Sequence, residues 1–163
     1  MPRREDLDPT DARLLLALTD NPRAPVLALA ERLGLSRNTV AARLAGLEQG
    51  GALGTFERRI DPAAMGYPLT AFVTVQVVQR LLAEVADALR AIPEVVQALG
   101  LSGPGDLLVQ VAARDADDLY RIAGHILASP GVERTNISLV MRELVPYRLA
   151  PLLERSLPQP AGS

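Results

Sequence analysis

Residues 25–50, PVLALAERLGLSRNTVAARLAGLEQG, decide how this chain is read. Two short helical patterns meet there at Leu33-Gly34-Leu35-Ser36. In the first, Val26, Leu29, Ala30 and Leu33 recur at i, i+3, i+4 and i+7, which is one face of a helix. Ser36 carries an N-cap hydroxyl, able to accept from the backbone N–H groups that open the next helix. Beyond it Val40, Leu44 and Leu47 form one apolar stripe, and Gly50-Gly51 supplies a C-terminal stop. At about 100° per residue, Asn38, Ala41, Ala42 and Ala45 point away from that stripe, with Arg37 and Arg43 on its flanks. A helix with a small outer face, and with Arg, Asn and Thr at its N-terminal end, suits a DNA major groove. The pattern predicts a helix-turn-helix capped by Ser36, with Arg37, Asn38 and Thr39 as base readers and Arg43 placed for phosphate. An ordinary αα-corner would carry much of the same pattern, so the rest of the chain has to decide.

The 163 residues leave room for one ordinary domain or two small ones. Hydrophobic residues make up 48% and aromatics 3%, so any core is mostly aliphatic. The absence of cysteine excludes a disulfide framework, a thiolate metal site and a cysteine nucleophile. No apolar run approaches the ~20 residues that span a bilayer. The opening MPRREDLDPTD turns acidic where a signal peptide needs an apolar stretch, so a soluble cytoplasmic protein without a membrane partner is expected. The net charge of −2 argues against a generic nucleic-acid binder. Its distribution matters more. Arg3, Arg4, Arg13, Arg23, Arg32, Arg37, Arg43, Arg58 and Arg59 are nearly balanced by Glu5, Asp6, Asp8, Asp11, Asp20, Glu31, Glu48 and Glu57. One such copy neutralises phosphate poorly, and a DNA-binding role therefore calls for an oligomer.

Upstream of the central stretch, Asp8-Pro9-Thr10-Asp11 reads as a helix start, with Asp8 as N-cap and Pro9 at the first helical position. Leu7 precedes the cap and can staple onto Ala12 or the stem of Arg13. Leu14, Leu15 and Leu18 give that helix its buried face, and Asp20-Asn21-Pro22 stops it. Downstream, residues 52–68 (ALGTFERRIDPAAMGYP) are expected to be an extended segment and a turn, able to pair with a second copy. The second half has another rhythm. Leu69–Gln79 alternates as a strand, and Leu81–Ile92 is helical through Leu82, Val85, Ala86 and Leu89. Val95–Leu101 and Leu107–Ala113 are strands around Ser102-Gly103-Pro104-Gly105-Asp106. Asp115 to Asp118 opens a second helix carrying Leu119, Ile122, Ala123 and Ile126, with acids at its positive end. Val132–Val145 closes the series as a last long strand.

The fold class is therefore α+β: an N-terminal three-helix (winged) helix-turn-helix domain followed by a ferredoxin-like βαββαβ domain. The expected boundaries are 1–51 for DNA binding, 52–66 for a linker with an extended segment, 67–147 for the sheet domain and 148–163 for a tail. That tail has a short helical piece around Leu149–Leu153 and then a disordered end. One sheet face is aliphatic and covered by the two helices. The other presents Phe72, Thr74, Gln76, Gln110, Asn136 and Ser138, a surface suited to packing on another sheet. A homodimer through this half would supply the two-fold symmetry that a helix-turn-helix reader uses.

Taken in order, LDPTDARLLLAL, NPR, LAERLGLSRNTVAARLAGLEQGGAL, IDPAAMGYPLTAFV, SGPGDLLV and PGVERTNISLVMRELV resemble the Lrp/AsnC family, the feast/famine regulators, over residues 7–145. The resemblance implies a regulator with an N-terminal domain for double-stranded DNA and a C-terminal domain for amino-acid-linked sensing and oligomerisation. It also implies dimers, often gathered into tetramers or octamers, and no cofactor. Ser36 to Arg43 then carry over as the recognition helix. Gly103, Gly105 and Asp106 carry over as part of an effector pocket, where backbone N–H groups and an acid hold a zwitterion. Two positions depart from the family pattern. Gly105 stands where an aromatic is common, leaving space for a bulkier ligand, and Ile137 stands where a polar residue is common.

Simpler readings accompany these. Gly103, Pro104 and Gly105 also fit a hairpin turn that needs a permissive backbone, and Asp106 fits a local cap. His125, the single histidine, reads as a partly buried helix residue. An enzyme on the same two-domain plan, of the tetrapyrrole (sirohaem-type) decarboxylase kind, is the alternative, although one histidine with no cationic cluster serves such chemistry badly. An effector-independent DNA-organising protein is the other. No Ser/His/Asp set, phosphate loop or metal spacing is present.

Overall fold

A computed structural model describes residues 7–158. Its helices are α1 (Pro9–Asp20), α2 (Val26–Leu33), α3 (Arg37–Gln49), α4 (Leu82–Arg90), α5 (Ala116–Leu127) and α6 (Ala150–Arg155). Its strands are β1 (Leu69–Val77), β2 (Val95–Gly100), β3 (Leu107–Ala113) and β4 (Val132–Leu139). The chain divides into two units, one running up to Phe56 and resuming at Val145, the other Glu57–Leu144.

The helical unit begins with a complete capping box. Asp8 Oδ1 accepts from Asp11 N at 2.8 Å, and Asp11 Oδ2 accepts from Asp8 N at 3.3 Å. Between α2 and α3 the chain reverses at Gly34, whose φ of +67° lies in the left-handed region. Leu35 N then donates to Ala30 O at 3.0 Å, which closes the turn. Leu14, Ala17, Leu29, Ala30, Leu33, Val40 and Leu47 form the buried centre, with Leu7, Leu18, Leu44 and Leu53 half-buried around it. α6 packs along α1. Residues 148–158 are therefore not a free tail: they belong with the helices. The remaining part of the expected tail, 159–163, lies outside the described residues, as does the opening 1–6.

Two expectations about the join fail. Neither the extended segment within residues 52–66 nor the wing forms, and among the described residues the helical unit carries no strand. Instead Phe56–Arg59 and Pro62–Met65 are short 3-10 turns. The reason is local. Asp61 caps the second turn by accepting from Ala63 N at 3.0 Å, and Pro62 pre-sets its first φ. A lone extended segment would leave its backbone groups without ladder partners.

In the second unit the strands lie in the order β2-β3-β1-β4, every pair antiparallel, with α4 and α5 as the two crossovers. This is the βαββαβ arrangement expected. Val73 lies opposite Val109 and Ile137, and Phe72 lies opposite Gln110 and Ser138. Alternation therefore sends Ala71, Val73, Val75, Val77, Val109 and Val111 to one face. There they pack with Val85 and Leu89 of α4 and Ile122 and Ile126 of α5. Phe72, Thr74, Gln76, Gln110, Asn136 and Ser138 share the opposite face, as read from the sequence, and the register adds Leu99 and Leu108. β4 ends at Leu139, shorter than expected, and residues 140–149 continue without regular structure. Leu82 shares the face of Val85 and Leu89 but is the first residue of α4, and at that end of the helix it is exposed.

Candidate nucleic-acid interface and ligand turn

At the start of α3, Ser36 Oγ accepts from Thr39 N at 3.1 Å and lies 2.8 Å from Thr39 Oγ1. Ser36 and Thr39 thus cap the helix together, as hydroxyl chemistry at this position favours. Arg37, Asn38 and Thr39 are exposed, and Ala41, Ala42 and Ala45 extend the same small outer surface along the helix. Val40 and Leu47 hold the opposite side in the core. The N-terminal turn of α3 therefore offers a guanidinium and a carboxamide beside unpaired helix N–H dipoles, on a surface low enough to enter a groove.

Arg43, expected at phosphate, makes ion pairs within the helical unit. Its Nη1 donates to Asp8 Oδ2 at 2.6 Å and to Asp11 Oδ1 at 2.8 Å. The guanidinium beside Asp8 holds that carboxyl below the usual aspartate range. The same pair raises the Arg43 pKa further. Arg43 thus braces the cap of α1 through Nη1, with its side chain 31% exposed. Sequence reading missed this because the partners lie one helix away.

The turn after β2 closes when Leu101 N donates to Asp106 O at 2.9 Å and Asp106 N donates to Val75 O at 2.9 Å. Asp106 Oδ2 accepts from Val77 N at 2.8 Å, and Oδ1 accepts from Gln79 Nε2 at 2.5 Å. The first of these stands in for a missing rung. β3 begins at Leu107, opposite Val75, so Val77 has no ladder partner on that side and the carboxylate takes its N–H. Each Asp106 oxygen retains a second lone pair. Among the described residues, the backbone N–H groups of Gly103 and Gly105 donate to no protein acceptor. The expected free space at Gly105 is absent. Its φ is +90°, and an added Cβ would run into Thr74 Cγ2 on the open sheet face. Ile137 pairs with Val73 and so belongs to the helix-covered side, the face opposite Thr74. The two departures noted in the sequence therefore do not converge within one chain.

A third charged group was only partly legible. Asp118 is buried and accepts from Arg114 N at 3.0 Å, Arg114 Nε at 3.2 Å and Arg121 Nη2 at 2.6 Å. Arg121 also pairs with Glu94. Hydrogen bonds from the two arginines drive Asp118 far below the usual carboxylate range. The spacings i+4 and i+3 around Asp118 were the available signal. Arg114, Asp118 and Arg121 line an open depression together with Asp115 and Asp117, and the two arginines there pair with Asp118. His125 is exposed rather than partly buried, its ring 3.5 Å from Arg121 Nη1.

A sequence profile of the AsnC-type helix-turn-helix domain matches residues 7–48, and one of the Lrp/AsnC ligand binding domain matches residues 70–150. The chain belongs to the Lrp/AsnC family. It is 35% identical over 146 residues to the HTH-type transcriptional regulator AldR of Mycolicibacterium smegmatis, covering 87% of this chain and 85% of that one. It is 30% identical over 139 residues to the HTH-type transcriptional regulator FL11 of Pyrococcus horikoshii, covering 85% and 92%. Among solved structures, the transcriptional regulator NMB0573 of Neisseria meningitidis in complex with L-methionine superposes with a TM-score of 0.76. That match has 28% identity and covers 86% of this chain and 93% of the other. This Lrp/AsnC protein is a DNA-binding transcription regulator, with α2 and α3 as its helix-turn-helix. No helix among the described residues is long and apolar enough to cross a membrane.

Proposed function

We propose that this regulator reads DNA through Arg37, Asn38 and Thr39 and responds to an amino acid held at Gly103, Gly105 and Asp106. The observation that carries the reading is the exposed Arg37-Asn38 pair at the free N-terminal turn of α3. Arg can pair bidentately with guanine and Asn with adenine, the two commonest side-chain solutions in the major groove. The near-neutral helical unit and the semi-polar open sheet face together support a two-fold dimer, which doubles the phosphate contacts. Such a protein acts where the DNA is, in the cytoplasm.

The effector half rests on two chemical features. Backbone N–H groups at Gly103 and Gly105 suit a carboxylate, and the Asp106 carboxylate suits an ammonium. The L-methionine complex of the Neisseria regulator supports an amino acid as the ligand class. Fluorescence anisotropy on a duplex from upstream of the protein's own gene, against a scrambled duplex, tests the reading helix. Arg37→Ala or Asn38→Ala should reduce discrimination between the two by about 1–3 kcal/mol. Equal weakening on both duplexes would remove these residues from base recognition. A thermal-shift screen of the twenty amino acids tests the turn, with L-methionine as the first compound.

A further inference from the structure

The sequence of α1 is apolar on more than one side, since Leu14, Leu15, Leu16, Ala17 and Leu18 run consecutively. Leu14 and Ala17 face the core shared with α2 and α3. Ala12 and Leu16 lie roughly opposite Leu14 around the helix. Ala12 is nevertheless fully buried, and Leu16 is half-buried. An outer face of this kind on the first helix of a three-helix unit needs a cover. α6 packs along α1, and its half-buried positions are Ala150, Leu153 and, just beyond it, Leu157. That spacing is one helical stripe, while Leu152 is 60% exposed and points elsewhere.

We propose that residues 145–158 are a strap that docks on the outer face of α1 and ties the sheet unit to the DNA-reading helix by a second route. The chain passes from the helical unit to the sheet unit after Phe56 and returns at Val145. The return leg starts from β4, where Val140 N still donates to Thr70 O at 2.9 Å. It ends on α1, whose cap carboxylates Asp8 and Asp11 hold Arg43 of α3. The exposed, irregular residues 140–149 join β4 to α6 covalently, and α6, α1 and α3 then follow by packing and by the Arg43 ion pairs, so the chain connects the two units a second time. This route goes beyond the proposed amino-acid response and does not depend on which ligand, if any, the turn holds.

Hydrogen exchange on the full-length protein, followed by mass spectrometry, tests the docking. Leu153→Asp should speed exchange across α1 at least tenfold while β1 and β3 keep wild-type protection, because only the cover of α1 is lost. Leu153→Ala should give a smaller change of the same sign, and Leu152→Asp none. A second experiment inserts a protease site between Gly54 and Thr55 and cuts the folded chain there. The two pieces should stay together on size exclusion in the wild type and with Leu152→Asp, and separate with Leu153→Asp. Unchanged α1 exchange in both Leu153 variants would overturn the proposal. So would a cut Leu153→Asp protein whose pieces stay together, or a cut wild type whose pieces part.

Discussion

Arg43 Nη1 lies 2.8 Å from Asp11 Oδ1, so the third helix is tied to the cap of the first by a partly buried ion pair. The bond does two things. It fixes α3 against α1, and it uses the N-terminal carboxylates that the α1 dipole already favours. Arg43→Ala should therefore lower the melting temperature of the helical unit even without DNA. Arg43→Lys should recover part of the loss, since a point charge cannot reproduce the planar fork. Circular dichroism melts of the three proteins decide it.

The second carboxylate on that guanidinium, Asp8, carries a pH signature. Asp8 is held below its ordinary range in the folded chain by the hydrogen bond from Arg43. Its contribution is then fully present above the unfolded aspartate pKa of about 3.9 and is lost as pH falls through the folded value. The melting difference between wild type and Arg43→Ala should be constant from pH 7 to 5 and shrink below about pH 4. A difference that instead grew in acid would contradict this assignment.

Asp118 gives the sheet unit a parallel dependence. Its carboxyl is depressed first by the Arg114 side chain, then by the Arg114 backbone and Arg121. Asp118→Asn should destabilise the sheet unit at neutral pH, and that effect should shrink as pH falls below the unfolded aspartate pKa of about 3.9 toward the depressed folded value. Urea titrations at pH 7 and pH 2.5 provide the comparison.

Gly105→Ala tests the ligand turn. The positive φ and the collision with Thr74 Cγ2 should together cost about 1–3 kcal/mol of stability. Thr74→Ser removes the colliding methyl and should recover part of that cost in the double variant, while the backbone strain stays. Equal costs of Gly105→Ala with and without Thr74→Ser would remove the steric part of the argument.

Asp106 has a structural duty that any ligand experiment must separate from binding. Asp106→Ala leaves Val77 N–H without its acceptor and should cost about 1–3 kcal/mol in the absence of ligand. Asp106→Asn retains an acceptor oxygen and should be milder, yet remove the charge that would hold an ammonium. Loss of an amino-acid thermal shift in Asp106→Asn, with little change in unliganded melting, identifies a ligand contact. An undiminished shift excludes it.

Much of the fold was legible in the sequence because its determinants are local. Asp8, Pro9 and Asp11 make the first cap within four consecutive positions. Ser36 caps α3 through Thr39, and Gly34 turns α2 into α3. The strand faces followed from the two-residue alternation of Val73, Val75 and Val77, which no tertiary contact is needed to read. The join was misread because Leu53, Phe56 and Ile60 gave a weak apolar pattern. Asp61 and Pro62 instead supplied a local turn that satisfied the backbone.

By itself, then, the sequence determined the helices, the strands, the turn of the reading motif and the exposure of Arg37 and Asn38. Each depends on caps, periodicity and backbone preference within a few residues. The tertiary structure alone decided which charges are spent. Arg43 finds Asp8 35 positions away, Asp106 finds Val77 N–H 29 positions away, and Arg121 finds Glu94 27 positions away. It also decided that Gly105 closes over Thr74 and that α6 packs along α1. Such partnerships join surfaces that meet only after the elements have packed, and a charge or a methyl carries no mark in the sequence of which distant neighbour it will meet.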